Sequence, residues 1–509
     1  MSVDSYPEKP LDFTDEVTPL DEKPAASRRQ HFLLGLMLLI IGVFYCTTIR
    51  PGHNWGDDFA LYIHHAENIA YGHPYGDTGY IYNPAFPGVG PRNYPPVFPV
   101  LLAPVYYFFG LNLTAMKVEG VLLFLLILLL VYNFFRDKLP FPYALALVVL
   151  LGLNPFFWDE KDTVLSDEPF LLFFYLAVNL AYYSRREGST WWRWAALTGL
   201  GLYLCYGTRT IGIMLLPGLA LYDLVRWRKL TRFTLVVGAT CAALILAQWL
   251  LIGAGESSYR DEFHPTVSAF LSNIDRYLKD LILPWYLEPL TFYTAAVYGL
   301  IALLALVGAY LRFRKGWTVH EYLLVFYLIF VVVWPKNQGI RLLFPLVPLY
   351  LYYMLLGLLT VTQRWNPRLP AAALGALLLL VGVDYANDYR KADFGAIQET
   401  NGRQSFNELC RFVRTSTSKK DVFLIWRARS FALFTDRRAS VYYLTGSLND
   451  NAALWHYLAK IHADYIVTSD IFPSDRQLLD PFLQRNRNDL DLVYQNADFR
   501  VYRIKRFES

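Results

Sequence analysis

Eleven apolar runs, most of them about as long as a bilayer is thick, restrict more than any other feature what this chain can fold into. They lie near residues 32–49, 118–135, 141–158, 169–183, 194–208, 210–225, 231–253, 291–311, 319–334, 341–360 and 369–386. A helix of roughly 20 apolar residues crosses the ~30 Å hydrocarbon layer. In lipid its backbone groups must bond within the segment. The chain is therefore predicted to be mainly α-helical, a polytopic membrane protein of about eleven transmembrane helices. Composition agrees: 18% of residues are charged, against about 25% in soluble domains. The net charge of +4 is spread among loops, which predicts no nucleic-acid partner.

A further run, Val97 to Gly110, is short and carries Pro99 and Pro104 behind Pro95 and Pro96. Charge decides its placement, because cytoplasmic loops collect Lys and Arg. If it does not span, every even helix ends at a basic cluster on one side. These clusters are Arg136 and Lys138; Arg185, Arg186 and Arg193; Arg226, Arg228, Lys229 and Arg232; Arg312, Arg314 and Lys315; Arg364 and Arg368. Residues 95–110 are thus predicted to form an amphipathic or re-entrant segment on the outer face of the cytoplasmic membrane. The N-terminus then lies in the cytoplasm and the C-terminus outside.

This topology predicts three parts. Residues 1–30, rich in Asp, Glu and Pro, form a disordered cytoplasmic tail. Residues 31–386 form the membrane domain, with an outer loop at 51–117 and another near 254–290. Residues 387–509 have a soluble composition. Short apolar segments there, Val422–Trp426, Ser440–Leu444, Tyr465–Thr468, Leu490–Tyr494 and Arg500–Ile504, alternate with helix-period stretches at Phe406–Arg414 and Asn451–Ile461. The pattern predicts a small extracytoplasmic α/β domain able to fold alone. The four cysteines read as small apolar fillers.

Three groups of polar residues stand at outward-facing turns. Asp57 and Asp58 follow the first helix, and Asp58, Tyr62, Ala66 and Ile69 share one helical face. A carboxylate there can serve as a general base, and equally as a helix-starting residue. Ser166-Asp167-Glu168-Pro169 opens a helix, just after Asp159, Glu160 and Asp162. Such acids suit a divalent cation or sugar hydroxyls, as well as a capped, solvated turn. Arg209, Lys336 and Arg341 run against the positive-inside bias, and a guanidinium grips phosphate through a planar fork of donors. Snorkelling is the alternative for all three. His64 and His65 are adjacent and no His-x3-His pair occurs, so no metal ligand is assigned among the histidines.

The order and sidedness of these motifs resemble the GT-C superfamily of membrane glycosyltransferases. The resemblance runs through Asp58-x3-Tyr62-x3-Ala66, Gly72 with Tyr75, Tyr94-Pro95-Pro96, Ser166-Asp167, and Arg341 ahead of Phe344-Pro345. It is to the bacterial branch that includes protein O-mannosyltransferases and lipid A aminoarabinose transferases. It implies transfer of a sugar from a polyprenyl-phosphate donor to a hydroxyl acceptor, with inversion at the anomeric carbon. Asp58 would be the base with Asp57 in reserve, Asp167 and Glu168 would contact sugar or metal, and Tyr62 and Tyr94 would line the site. Arg341, Arg209 and Lys336 would stabilise the departing lipid phosphate. The chain departs from the aminoarabinose transferases at Phe59, where they have Glu, and at Tyr94, where they have Lys, so lipid A is not assigned as acceptor. A transporter or flippase is the alternative reading; it would place ionisable groups near the bilayer midplane and show inverted repeats.

Overall fold

The computed structural model describes residues 27–86, 89–183, 190–253, 264, 266–280, 292–334, 339–443 and 451–505. Lys336 and nearly all of the acidic tail lie outside the described residues. Helix α1 (Arg28–Thr47) opens on a capping box between Ser27 and Gln30, so the first helix starts three residues ahead of the predicted domain edge. The apolar runs that follow become α4 (Leu113–Phe135), α5 (Phe141–Gly152) with α6 (Pro155–Glu160), α7 (Asp167–Tyr183), α8 (Trp191–Thr208), α9 (Leu215–Trp227), α10 (Arg232–Ile252), α12 (Phe292–Phe313), α13 (Val319–Val333), α14 (Val347–Trp365) and α15 (Leu369–Lys391). Tight 3₁₀ turns, Thr210–Met214 and Gly339–Leu346, lead into α9 and α14.

Among the described residues, seven helices, two of them counted with these turns, are long and apolar enough to cross a membrane. The predicted spans at α5, α7, α8 and α13 are helical but only 12, 17, 18 and 15 residues long. The run predicted as one span over 141–158 is broken at Leu153. Asn154 there caps a new helix through the Phe156 amide (2.9 Å), and Pro155 occupies its first position. Tight packing holds the bundle together. At the α12–α14 crossing a side-chain carbon on Gly308 or Gly357 would strike the other helix's backbone, which is how small residues bring membrane helices close.

The proline-rich run forms helix α3 (Val97–Phe109), which lies against α2 (Asp58–Tyr71). Phe59, Tyr62 and Ile63 meet Phe98, Leu102 and Tyr106 in one apolar layer. Inside the second predicted loop, α11 (Val267–Asp280) forms and hangs from α13 by Asn273, whose amide donates to the carbonyls of Val332 (2.9 Å) and Trp334 (2.6 Å).

Asp162 ties these parts to the bundle. Its carboxylate, 1% exposed, accepts from Arg50 Nε and Lys161 Nζ, both at 2.7 Å, with Lys117 Nζ at 3.6 Å. Arg50 also pairs with Asp159 at 2.5 Å. The end of α1, the start of α4 and the turn after α6 therefore meet at one buried charge cluster. These two acids, read from the sequence as possible cation ligands, are occupied by the chain's own cations.

Beyond α15 come α16 (Gln404–Ser416), β1 (Val422–Leu424), α17 (Ala428–Thr435), β2 (Arg438–Ser440), α18 (Asn451–Ile461), β3 (Tyr465–Ser469), α19 (Asp480–Arg485), β4 (Leu490–Gln495) and β5 (Phe499–Ile504). The sheet order is β2-β1-β3-β5-β4; β1 runs parallel to β2 and β3, while β5 is antiparallel to β3 and β4. The strand expected at Ser440–Leu444 forms earlier, at Arg438–Ser440. Residues beyond it are held instead by Asn83, whose amide donates to the carbonyls of Val441 (3.1 Å) and Tyr443 (2.6 Å). The first loop also covers the β2 edge: Ile81 N–H donates to Ala439 O and Ala439 N–H to Gly79 O, at 2.8 and 2.9 Å. An open strand edge would invite foreign pairing. Here the loop closes it, so the α/β domain and the first loop are joined by backbone bonds.

Candidate functional site

The two aspartates at the start of α2 part ways. Asp57, the residue before the helix, turns toward α17. Its carboxylate accepts from Ser430 N (3.1 Å), Ser430 Oγ (2.7 Å) and Arg429 N (3.4 Å). It thereby caps α17, satisfying amides that have no partner within the helix. Burial raises the Asp57 carboxyl above its ordinary pKa, against the pull of Arg427 and Arg429.

Asp58 faces the other way. Its Oδ1 accepts from Tyr94 Oη at 2.8 Å and Arg429 Nη1 at 3.1 Å. The side chain is 40% exposed, and among the described residues Oδ2 has no bonding partner. Tyr94 stacks on Tyr62 with ring centroids 4.6 Å apart. Tyr62 Oη donates to Ser166 Oγ at 2.9 Å, and Ser166 directly precedes α7.

At the start of α7, Asp167 is 2% exposed. Arg341 reaches its Oδ2 through Nε (3.0 Å) and Nη2 (2.5 Å), and Arg209 Nη1 reaches its Oδ1. Arg209 comes from the end of α8 and Arg341 from the turn before α14. Alternating helix direction is what brings these three junctions to one end of the bundle. Asp58 lies close enough to act on the Arg341 guanidinium electrostatically. Glu168 is buried beside Glu160 and Asp167. Burial, then Asp167, pushes Glu160 up to about 7.

Asp58, Tyr62, Tyr94, Asp167, Arg209 and Arg341 thus converge as one constellation, with Glu168 beneath it. Asp57 stands one residue away but serves α17. Lys336 lies outside the described residues. Sequence reasoning missed Arg429, whose charge comes from a helix 371 positions downstream of Asp58. The only hint was its place, just after a short apolar strand. Among the described residues no group of three or more His, Cys, Asp or Glu is placed to hold a metal ion, and Asp167 is paired with Arg209 and Arg341.

The first-loop histidines hold structure. His53 stacks on Phe59 (3.8 Å) and its Nε2 accepts from Val164 N at 3.1 Å. His65 stacks on Tyr75 (4.1 Å), bonds the Tyr75 carbonyl through Nδ1 (2.8 Å) and accepts from Tyr94 N through Nε2 (3.3 Å). Burial lowers His53 to about 4 and His65 to about 3, from 6.5. A group whose folded pKa is depressed in this way is neutral in the fold and binds protons on unfolding. Its stabilisation is present above about pH 6.5 and lost as pH falls below it. Each histidine is expected to cost about 2 kcal/mol of stability by pH 5. Thermal unfolding in detergent from pH 7.5 to 5 checks this; a midpoint that stays flat, or a slope unchanged in His53→Gln, would refute it.

The sequence matches no protein-family model and no curated protein. Solved structures do match it. ArnT from Cupriavidus metallidurans in the apo state superposes with a TM-score of 0.61 at 14% identity, covering 94% of this chain and 98% of that one. The same protein bound to undecaprenyl phosphate gives 0.57 at 13% identity, with the same coverage. The archaeal oligosaccharyltransferase AglB from Archaeoglobus fulgidus, in complex with an inhibitory peptide and a dolichol-phosphate, gives 0.57 at 13% identity over 87% of this chain and 70% of that one.

Proposed function

From the premise that the chain has the GT-C fold, a polytopic helical bundle carrying a C-terminal α/β domain, we propose that it is a glycosyltransferase. It moves a sugar from a polyprenyl-phosphate carrier to a hydroxyl on a lipid, glycan or protein acceptor. One observation carries this reading: the half-open carboxylate of Asp58 stands at the same end of the bundle as the Arg209–Asp167–Arg341 cluster. A base and a pair of phosphate-binding cations are what a direct displacement at an anomeric carbon requires. One base without a protein nucleophile favours inversion. The neighbours captured with undecaprenyl phosphate and with dolichol-phosphate support a lipid-linked donor.

In this reading Asp58 takes the proton of the acceptor hydroxyl as that oxygen attacks. Arg341 and Arg209 meet the charge that develops on the departing phosphate, and Asp167 holds their two forks in place. Tyr62 and Tyr94, stacked on each other between Asp58 and the start of α7, contact the substrate, and Glu168 supports the sugar side. Lys336, five positions before Arg341 in the sequence, would add a third cation. Asp57 docks α17 and is not the base. The enzyme sits in the cytoplasmic membrane, with the N-terminal tail inside and residues 387–509 outside, as the basic clusters predict.

The test is release of polyprenyl phosphate by purified full-length protein in detergent, given polyprenyl-phosphate sugars one at a time and membrane extract as mixed acceptor. Release that depends on both donor and extract supports transfer. If no donor is consumed while the protein moves labelled lipid between leaflets of liposomes, the flippase reading replaces this one.

A further inference from the structure

Arg429 is an arginine that the fold alone does not explain. Its side chain is 1% exposed, and a buried cation is costly unless paired and hydrogen-bonded. The pairing is uneven. Nη1 is shared between Asp58 Oδ1 and Tyr94 Oη, each at 3.1 Å, and Nη2 donates to Pro91 O at 3.0 Å. Nε is buried and, among the described residues, has no hydrogen-bond partner. Tyr80 and Tyr94 flank the guanidinium, 4.8 and 5.3 Å from its carbon. Room for it is kept by Gly90, whose φ of +99° suits glycine and where a side-chain carbon would come within 3.2 Å of Arg429 Nη2. Here the cation is buried and the carboxylate it holds is 40% exposed.

We propose that Arg429, contributed by the C-terminal α/β domain, is a positioning residue that anchors Asp58 through Oδ1 and leaves Oδ2 as the oxygen that receives the acceptor's proton. The proposal rests on Asp58 being the base. In the step it serves, the acceptor O–H bond breaks and its proton passes to Oδ2. The freed electron pair forms the new glycosidic C–O bond. The bond from the anomeric carbon to the carrier phosphate oxygen breaks, and its pair leaves with polyprenyl phosphate. Arginine stays charged throughout, so Arg429 neither gives nor takes a proton. It fixes which carboxylate oxygen faces the attacking hydroxyl. The α/β domain is then a wall of the active site and not only its cover.

The experiment uses the full-length chain and the lipid-phosphate release assay. Arg429→Met is expected to lower kcat about 100-fold, as misplacement of a reacting group by about an ångström does, with KM for the donor within about twofold. Arg429→Lys recovers part of the rate, because a charge returns without the planar fork. Added methylguanidinium restores part of the rate to Arg429→Ala. Ser430→Ala loosens the α17 cap without touching Asp58; it is expected to lower the unfolding midpoint and leave kcat nearly unchanged. In an Asp58→Asn background, Arg429→Met is expected to have almost no further effect, because the two side chains act as one unit. The proposal is overturned if Arg429→Met keeps wild-type kcat, if Ser430→Ala loses as much, or if the Asp58 and Arg429 effects multiply. Should Arg429→Met fail to fold, the lysine variant and the methylguanidinium rescue decide. Asp58→Asn retaining wild-type turnover would instead sink the reading of Asp58 as base, and this proposal with it.

Discussion

Asp58→Asn is expected to lower turnover about 10²- to 10⁴-fold, the range that loss of a general base commonly costs, while the protein folds and binds donor as before. The amide keeps the shape of the carboxylate and can still accept from Tyr94 and Arg429 through its oxygen. What it loses is the ability to take a proton. The loss should therefore fall on kcat, with KM for the polyprenyl-phosphate sugar little changed, the pattern of an interaction made only in the transition state. Measuring released polyprenyl phosphate against donor concentration separates the two. Asp57→Asn is the informative companion. It weakens the cap on α17 (about 1 kcal/mol) and should lower the unfolding midpoint far more than it lowers the rate. If Asp57→Asn were the inactive variant and Asp58→Asn the active one, the assignment of the two carboxylates would be reversed.

Asp167→Asn is expected to have the largest effect on stability. Its carboxylate, 2% exposed, is the shared partner of Arg209 and Arg341, whose side chains are 16% and 31% exposed. Removing one member of a buried charge cluster leaves the others uncompensated, typically a loss of 3–5 kcal/mol. Because Arg341 keeps some contact with solvent, about 3 kcal/mol is the expected figure. The same physics gives a second readout. Two arginines without their carboxylate form a stronger anion site, so polyprenyl phosphate should raise the unfolding midpoint of Asp167→Asn more than that of wild type. Equal shifts would show that the arginines do not face the lipid phosphate. An unchanged midpoint in the absence of ligand would show that the cluster carries no net stability.

The bundle was legible in the sequence because bilayer thickness imposes a length that few soluble segments reach, and because apolar side chains had to recur over that length. The runs at 118–135, 231–253 and 369–386 became α4, α10 and α15 with ends shifted by only a few residues. The exception at 141–158 follows from Asn154 and Pro155, a start signal that hydropathy alone does not register. In the α/β domain the helix at Asn451–Ile461 matched residue for residue, whereas the strand before it was displaced. A helix is decided by its own bonds, while a three-residue strand is decided by what pairs with it, in this case β1 on one side and the first loop on the other.

The candidate site divides along the same line. Residue type and position at helix ends pointed to Asp58, Asp167, Arg209 and Arg341, because charged groups near a membrane are costly and few in number. The Asp58-x3-Tyr62-x3-Ala66 spacing favoured Asp58 over Asp57 through the resemblance alone, and nothing local showed what either carboxylate bonds or distinguished Asp159 and Asp162 from true cation ligands. Only tertiary contacts did so, by giving Asp57 to α17, Asp162 to Arg50, Lys117 and Lys161, and Asp58 to Tyr94 and Arg429. The sequence by itself determined that the chain makes a membrane bundle with acids and arginines at its helix ends, since hydrophobic length and charge placement are properties of each segment alone. Which carboxylate is left open to react was decided by the tertiary structure, because a carboxylate's role depends on the donors around it, and here a decisive one comes from the far end of the chain.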